Sequence, residues 1–237
     1  DIGANADCKP EYLLQFGIMG SVYVQKVAGV ENPKVATLSN GEEEGKGNTL
    51  VKEAQQLLKK SKLNYIGNVE SKEFFAGEAD VVITDGFTGN IFIKTSESVA
   101  SMMSDLIRGE TVKNPIAILG GLLMRPVFAS IRGKLDPTEV GGAPLLGLDG
   151  VAIVGHGRSN GRAIRSAINV ARAAVAGKMV ETIRAELAAQ LSEIELAEAA
   201  EAHREGGDAR SGVGQPAVEA EEGLREAPAE HPVEDAR

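Results

Sequence analysis

Ser39 to Asn48 reads S-N-G-E-E-E-G-K-G-N, with Gly41, Gly45 and Gly47 spaced around Lys46. A glycine-rich turn that leads from a strand into a helix offers backbone N–H groups and the positive end of a helix, and Lys46 adds a full charge there. The chemistry that suits such a stretch is the holding of an anion, with inorganic phosphate foremost. The spacing matches neither the Walker A pattern nor G-x-G-x-x-G. Alone the loop is weak evidence, because an ordinary strand-to-helix connection can have the same composition. Glu42, Glu43 and Glu44 oppose a bare anion, so some of them are expected to turn outward or to engage Lys46 and backbone donors.

A second stretch, Asp85-Gly86-Phe87-Thr88-Gly89-Asn90, closes the apolar run Ala79 to Thr84. Open α/β sheets place ligands at the carboxyl ends of their strands. Gly86 and Gly89 allow close backbone approach there, while Asp85, Thr88 and Asn90 supply donors and acceptors. A turn with local Asx-type bonding accounts for the same residues. His156, between Gly155 and Gly157 after the apolar run Val151 to Val154, has the position of an acid/base or hydrogen-bond donor, though histidines as often only satisfy a local bond. Asp1, Asn5 and Asp7 are polar groups that could face a cleft. Cys8 is the single cysteine, so no internal disulfide can form, and no histidine lies near it in sequence.

These groups need a scaffold. Glu11 to Val27 predicts a helix with Tyr12, Phe16, Met19, Tyr23 and Val27 on its buried stripe, started at Pro10 and ended at Gly29. Lys34 to Leu38 predicts a strand, and Thr49 to Lys60 a helix with Leu50, Ala54, Leu57 and Leu58 on one face. Leu63 to Gly67 reads as a strand, Asn68 to Glu78 as a polar connection, and Ala79 to Thr84 as a buried strand. A helix is expected from near Gly89. Alternating buried strands and amphipathic helices argue for a parallel sheet covered on both faces.

From Ser98 to Leu135 the chain suggests a helical hairpin, with a break at Gly109 to Pro115 and interruptions at Gly120-Gly121 and Arg125-Pro126. Its apolar surface exceeds what one protomer would cover, which fits a dimer interface or a membrane-surface contact. Gly141 to Leu148 is a loop feeding a further buried strand, Val151 to Val154. Ser159 to Ala202 is a long helical pattern weakened at Gly177. The chain divides into an α/β domain over 1–203 and a disordered acidic tail over 204–237.

The 237 residues, 43% of them hydrophobic, suffice for one domain with appendages. A net charge of −9 and the absence of tryptophan argue against nucleic-acid binding. Residues 1–20 lack the features of a signal peptide, and no apolar run approaches the roughly 20 residues of a membrane span. A soluble, cytoplasmic protein is expected. The opening Asp1-Ile2-Gly3-Ala4-Asn5 looks like a strand exit cut from something longer.

In order, D-I-G-A-N at 1–5, C-K-P-E-Y-L-L-Q-F at 8–16, M-G-S-V-Y at 19–23, G-E-E-E-G-K-G-N at 41–48, I-G-N-V-E at 66–70, D-G-F-T-G-N at 85–90, G-G-A-P-L-L-G at 141–147 and H-G at 156–157 resemble the PlsX family of bacterial phosphate acyltransferases. The resemblance covers about residues 1–180 and corresponds to that family's carboxyl-terminal part. It implies a Rossmann-like three-layer α/β/α sandwich, akin to isocitrate and isopropylmalate dehydrogenases, with a protruding helical hairpin. It further implies a homodimer, no metal or nucleotide cofactor, and peripheral membrane association. The implied reaction makes acyl phosphate from acyl-acyl carrier protein and inorganic phosphate, in phospholipid synthesis.

Phosphate is already ionised at neutral pH, so the site must mainly position it and offset charge growing on the thioester oxygen. The expected catalytic residues are Lys46, Asn90 and His156. Phosphate and substrate binding is expected from Asp1, Asn5, Gly41, Glu42, Gly45, Gly47, Asn48, Asp85, Gly86 and Gly89. Direct transfer is preferred, since no activated Ser or Cys is evident. The alternatives are a phosphotransacetylase using acyl-coenzyme A, an isocitrate-type dehydrogenase, which the lack of a clustered set of metal-binding aspartates disfavours, and a non-catalytic fragment that dimerises or docks on membranes.

Overall fold

The computed structural model describes residues 1–128, 130, 142–157 and 159–208. Two compact units divide the chain, Asp1–Leu196 and Ala197–Arg237. The first carries the sheet and every loop discussed below. Of the second, the described residues are the helical ones as far as Asp208. The acidic stretch beyond that residue lies outside the described residues.

Three parallel strands make the sheet, β1 (Lys34–Leu38) in the middle, β2 (Asn64–Val69) on one side and β3 (Val81–Ile83) on the other. β1 and β3 pair Val35 with Val81 and Thr37 with Ile83. Opposite β2 the register slips between Val35 and Ala36, so that Ile66 bulges out and Gly67 turns at a φ of 100°. The molecule is thus mixed α/β with a parallel sheet, as the alternation of apolar strands and amphipathic helices requires.

Helix α1 (Pro10–Tyr23) begins with proline in its first turn and continues as a π-turn, Val24–Ala28, that Gly29 closes at a φ of 75°. Its buried face matches the expected stripe only in part. Met19 is buried and Phe16 packs half-buried against the core, but Tyr12 is 37% exposed, and Leu13, Leu14, Gly17, Ile18, Ser21 and Val22, outside that stripe, are buried as well. The glycines explain the rotation. A Cβ on Gly17 would lie 2.9 Å from Ile83 Cδ1, and one on Gly20 would lie 2.7 Å from Val81 Cγ1. Close backbone approach through these glycines sets which side of α1 meets the sheet, and the larger Tyr12 is left outside.

Helix α2 (Thr49–Lys60) buries Ala54 and Leu58 beside α1 as its pattern predicts. The core unites Leu13, Leu14, Ile18, Val35, Ala54, Leu58 and Ile83 with Ile194. Each fully buried Leu or Ile here contributes about 1.5–3 kcal/mol of transfer free energy. The polar connection expected over Asn68 to Glu78 instead contains helix α3 (Ser71–Ala76). It is started by reciprocal bonds between Glu70 and Glu73 and ended by Gly77 at a φ of 74°. A capping box can start so short a helix without an apolar stripe.

Helix α4 (Gly86–Thr111) starts three residues earlier than expected, because Asp85 already caps it. Val112 to Asn114 separate it from α5 (Pro115–Leu123), which Asn114 caps through its side chain. Gly120 and Gly121 lie inside α5 and do not interrupt it. The chain turns at Met124 and is helical again over 125–128, so Arg125-Pro126 starts a new segment, as a proline at a first helical turn can. Residue 129 and the residues 131–135 of the expected hairpin lie outside the described residues. Among the described residues no helix is long and apolar enough to cross a membrane.

The run at 151–154 is not a buried strand of the main sheet. It forms β5 (Ala152–Val154), paired antiparallel with β4 (Ala143–Leu145) as a separate two-stranded unit, and Val154 is exposed. Apolar content marked the strand but not its partner, which is supplied by the residues just before it. Gly141, at the head of that loop, lies outside the described residues. The long helical pattern breaks at Gly177-Lys178 into α6 (Gly161–Ala176) and α7 (Met179–Asp208), with Lys178 at a φ of 52°.

Candidate functional site

Adjacent parallel strands release their loops at the same sheet edge, about 4.8 Å apart. β1 therefore delivers Ser39 to Asn48, and β3 delivers Thr84 to Asn90, to neighbouring positions. Each loop runs directly into a helix N-terminus. Asn48 Oδ1 accepts from the Val51 N–H at 2.9 Å to start α2, and Asp85 Oδ1 accepts from the Thr88 N–H at 2.8 Å to start α4. Asp85 Oδ2 also accepts from the Thr88 hydroxyl at 2.8 Å.

The opening residues fold onto the start of α4. Asp1 Oδ1 accepts from the N–H groups of Gly3 and Ala4 at 2.8 Å each, and Oδ2 from the Asn5 N–H at 2.9 Å and Asn5 Nδ2 at 2.8 Å. One carboxylate thereby organises the whole turn. The turn is fixed to the second loop by the Asp1 nitrogen, which donates to the Thr84 carbonyl at 3.1 Å, and by the Gly86 N–H, which donates to the Asn5 carbonyl at 2.8 Å. A Cβ on Gly89 would stand 1.9 Å from the Asp1 carbonyl oxygen, and one on Gly86 2.6 Å from that of Asn5. Only glycine admits so close a backbone. A Cβ on Gly3 would meet Asn90 Cγ at 3.6 Å, so Asp1, Asn5, Asp85, Gly86, Gly89 and Asn90 form one assembly.

In the first loop two of the three glutamates turn aside, while Glu43 stays over Gly41, its Oε2 2.8 Å from where a Gly41 Cβ would stand. Glu44 pairs with Lys59, and Glu42 bonds to the carboxyl of Glu73 in α3. Lys46 is exposed, and among the described residues no carboxylate pairs with it. Its stem crosses buried Gly41, where a Cβ would come within 2.8 Å of Lys46 Cγ. Gly45 and Gly47 take φ values of 88° and 104°, and the Gly47 N–H donates to Asn40 Oδ1 at 2.9 Å. What the sequence pattern missed is the support beneath this loop. Asn68, Gln55 and Thr37, all buried, hold the Glu43 and Lys46 carbonyls through Asn68 Nδ2 and Gln55 Nε2. Asn68 stood within the I-G-N-V-E motif, but its partners lie too far away in sequence for spacing to reveal them.

The bond to Glu73 raises the Glu42 carboxyl above its usual range, and Glu73 is lowered, chiefly by the backbone N–H groups at the start of α3. A raised carboxyl pKa in the folded state stabilises it below the unfolded value, and that contribution is lost as pH rises through the folded one. Glu42→Gln, whose amide can donate to Glu73 at any pH, therefore matches the parent melting temperature below about pH 4.5. It becomes the more stable of the two as pH rises beyond that. Melting curves across this range check it.

His156 is exposed, and its carbonyl accepts from the Ser159 N–H at 2.9 Å. Leu146 and Val151, at the turn of its hairpin, pack on Met19 and Val22. Because α1 meets β3 with Gly17 at Ile83 and Gly20 at Val81, those residues lie toward the amino end of β3. The two loops leave from the opposite end of β3, so the turn that precedes β5 is anchored away from them. Burial pushes the Cys8 thiol up, and its Sγ donates to the Asn5 carbonyl at 3.4 Å, which suits packing better than attack.

A family model described as "Fatty acid synthesis protein" matches residues 1–182. The phosphate acyltransferase of Elusimicrobium minutum is 52% identical over 188 residues, 79% of this chain and 55% of that protein. That of Syntrophotalea carbinolica is 50% identical over 194 residues, 82% of this chain and 56% of that protein. That of Dictyoglomus turgidum is 54% identical over 172 residues, 72% of this chain and 51% of that protein. The chain spans about half the length of these curated relatives.

Proposed function

Since the chain belongs to the fatty acid synthesis protein family, that of the PlsX-type phosphate acyltransferases, we propose that it carries the anion-handling part of an enzyme making acyl phosphate from acyl-acyl carrier protein and inorganic phosphate. The observation that carries this reading is the arrival of two glycine-containing loops, one with an exposed lysine that no described carboxylate pairs with, at the carboxyl ends of adjacent parallel strands. A phosphate oxygen attacks the thioester carbon, the C–O bond forms, the C–S bond breaks and the pantetheine thiol leaves as thiolate. Lys46 and the Gly41 to Asn48 loop hold the phosphate and offset the developing charge. Asn90 and the backbone of Gly86 to Asn90 supply further donors, Asp1, Asn5 and Asp85 order the cleft, and His156 assists the thiolate. Direct transfer needs no covalent enzyme intermediate and no metal.

The fuller architecture we infer is the Rossmann-like three-layer sandwich of isocitrate-type dehydrogenases, in a homodimer, with 98–135 as its protruding hairpin. The test is phosphate-dependent acyl phosphate formation by the full-length protein, trapped as hydroxamate, with acyl-acyl carrier protein compared with acyl-coenzyme A. Preference for the carrier protein without added metal supports the reading. Preference for coenzyme A moves the enzyme to the phosphotransacetylases, and no acyl phosphate from either overturns it.

A second reading of one region rests on its surface. Ile116 is 81% and Leu123 74% exposed, and Val99, Met102, Leu106, Leu119 and Leu122 are exposed beside them. Such a patch suits contact with a membrane surface or a second protomer, and peripheral membrane attachment of a cytoplasmic enzyme is the role we assign to it. Charged substitutions at Leu122 and Leu123 are expected to abolish liposome flotation while Lys46→Ala floats normally. Unchanged flotation would make the patch a protein interface.

A further inference from the structure

Beneath the Lys46 loop lies a chain of hydrogen bonds whose directions are fixed by the groups that make them. Gln55 Nε2 and Thr37 Oγ1 each stand 2.8 Å from Asn68 Oδ1, while Asn68 Nδ2 stands 3.2 Å from the Glu43 carbonyl and 3.5 Å from that of Lys46. Turning the Asn68 amide over would set its oxygen against two carbonyls and its NH2 against a donor, so its orientation is fixed. The Thr37 hydroxyl has one hydrogen, which goes to Asn68 rather than to the Gly67 carbonyl at 3.5 Å. The Tyr65 hydroxyl, 2.8 Å from Thr37 Oγ1, must then be the donor in that contact. Gln55 Nε2 uses its other hydrogen on the Lys46 carbonyl at 3.2 Å.

Every proton in the chain therefore points toward the loop. Tyr65 donates to Thr37, Thr37 and Gln55 donate to Asn68, and Asn68 and Gln55 donate to the two loop carbonyls. Thr37 is 0%, Gln55 4% and Asn68 9% exposed, so water competes little for these bonds. Their partners come from β1, β2 and α2, so the loop is referenced to the sheet itself and not only to its own turn.

We propose that Asn68, oriented by Gln55 and Thr37, is a positioning residue for phosphate: it draws the Glu43 and Lys46 carbonyls inward and so fixes where the Lys46 side chain is presented. This rests on the reading of the Lys46 loop as the anion site. It touches neither substrate and acts through the loop.

The test is steady-state kinetics of the full-length protein, with phosphate and acyl-acyl carrier protein varied separately. Asn68→Asp keeps the shape and the acceptor but turns an oxygen toward both carbonyls. Its KM for phosphate is expected to rise by at least about tenfold, as for loss of a buried donor, while KM for the carrier-bound acyl group stays within about twofold. Gln55→Met, close to glutamine in size and without a buried charge, removes both Gln55 donations where Asn68→Asp does not fold, and is expected to move the phosphate KM in the same direction. If both variants keep the parental phosphate KM while Lys46→Ala raises it, the positioning role is overturned and the loop assignment stands. If Lys46→Ala also leaves the phosphate KM unchanged, the loop assignment falls first. Equal losses toward both substrates in the variants at 68 and 55 would mark a general structural role and also overturn the proposal.

Discussion

Lys46→Ala in the full-length protein is expected to lower acyl phosphate formation by about 10²–10³-fold, the range for losing one preorganised donor to a developing oxyanion. The fold should persist, because Lys46 is exposed and the loop is held by its backbone, through the Lys46 carbonyl and the Gly47 N–H. The ammonium contributes charge, and the stem covers only Gly41. Two of its acidic neighbours are engaged elsewhere, Glu44 by Lys59 and Glu42 by Glu73, and among the described residues Lys46 forms no ion pair with a carboxylate. Turnover measured with saturating carrier-bound substrate, alongside a thermal melt, checks both halves. Near-parental turnover would remove Lys46 from the mechanism.

Gly89→Ala should do harm of a different kind. Its methyl would need the space 1.9 Å from the Asp1 carbonyl oxygen and 2.8 Å from Thr84 Cγ2, and the first of these is backbone that cannot rotate away. Either the Asp1–Asn5 turn lifts off α4 or the helix start shifts. Overpacking of this sort costs about 1–3 kcal/mol, and it displaces Asn90 whichever element yields. The expected result is a lowered melting temperature together with an activity loss of about tenfold or more, because a misplacement of about 1 Å near the chemistry is already costly. Gly109→Ala, within the same helix and outside both loops, is the control: no heavy atom lies within 4 Å of the added Cβ. A Gly89→Ala protein as stable and active as the Gly109→Ala protein would refute the contact.

Much of this frame is legible from the chain. Lys34 to Leu38 is marked by its apolar run, and Thr49 to Lys60 by a four-residue spacing that continues from the asparagine cap. The expected gathering of Asp1, Asn5, Asp85, Gly86, Gly89 and Asn90 at a strand end has a simple basis, because glycines beside Asx residues are what a crowded turn needs. Other features were not legible. The buried side of α1 depends on Gly17 and Gly20, residues that carry no hydrophobic signal. Helix α3 rests on two glutamates in a polar stretch. The pairing of β5 with β4 cannot be read from apolar content alone. The Asn68 network joins residues 13, 22 and 25 positions apart, as well as the 31 from Thr37, and single-sequence periodicity has no access to bonds of that range.

The activity losses expected for Lys46→Ala, Asn68→Asp and Gly89→Ala depend on the two loops acting as one anion site. The most direct measurement is a crystal structure of the full-length protein with inorganic phosphate bound at a concentration near its KM. The expected result is a phosphate within hydrogen-bonding distance of Lys46 Nζ and of at least one donor from Gly86 to Asn90. A phosphate held by only one of these loops, or by neither, would contradict it.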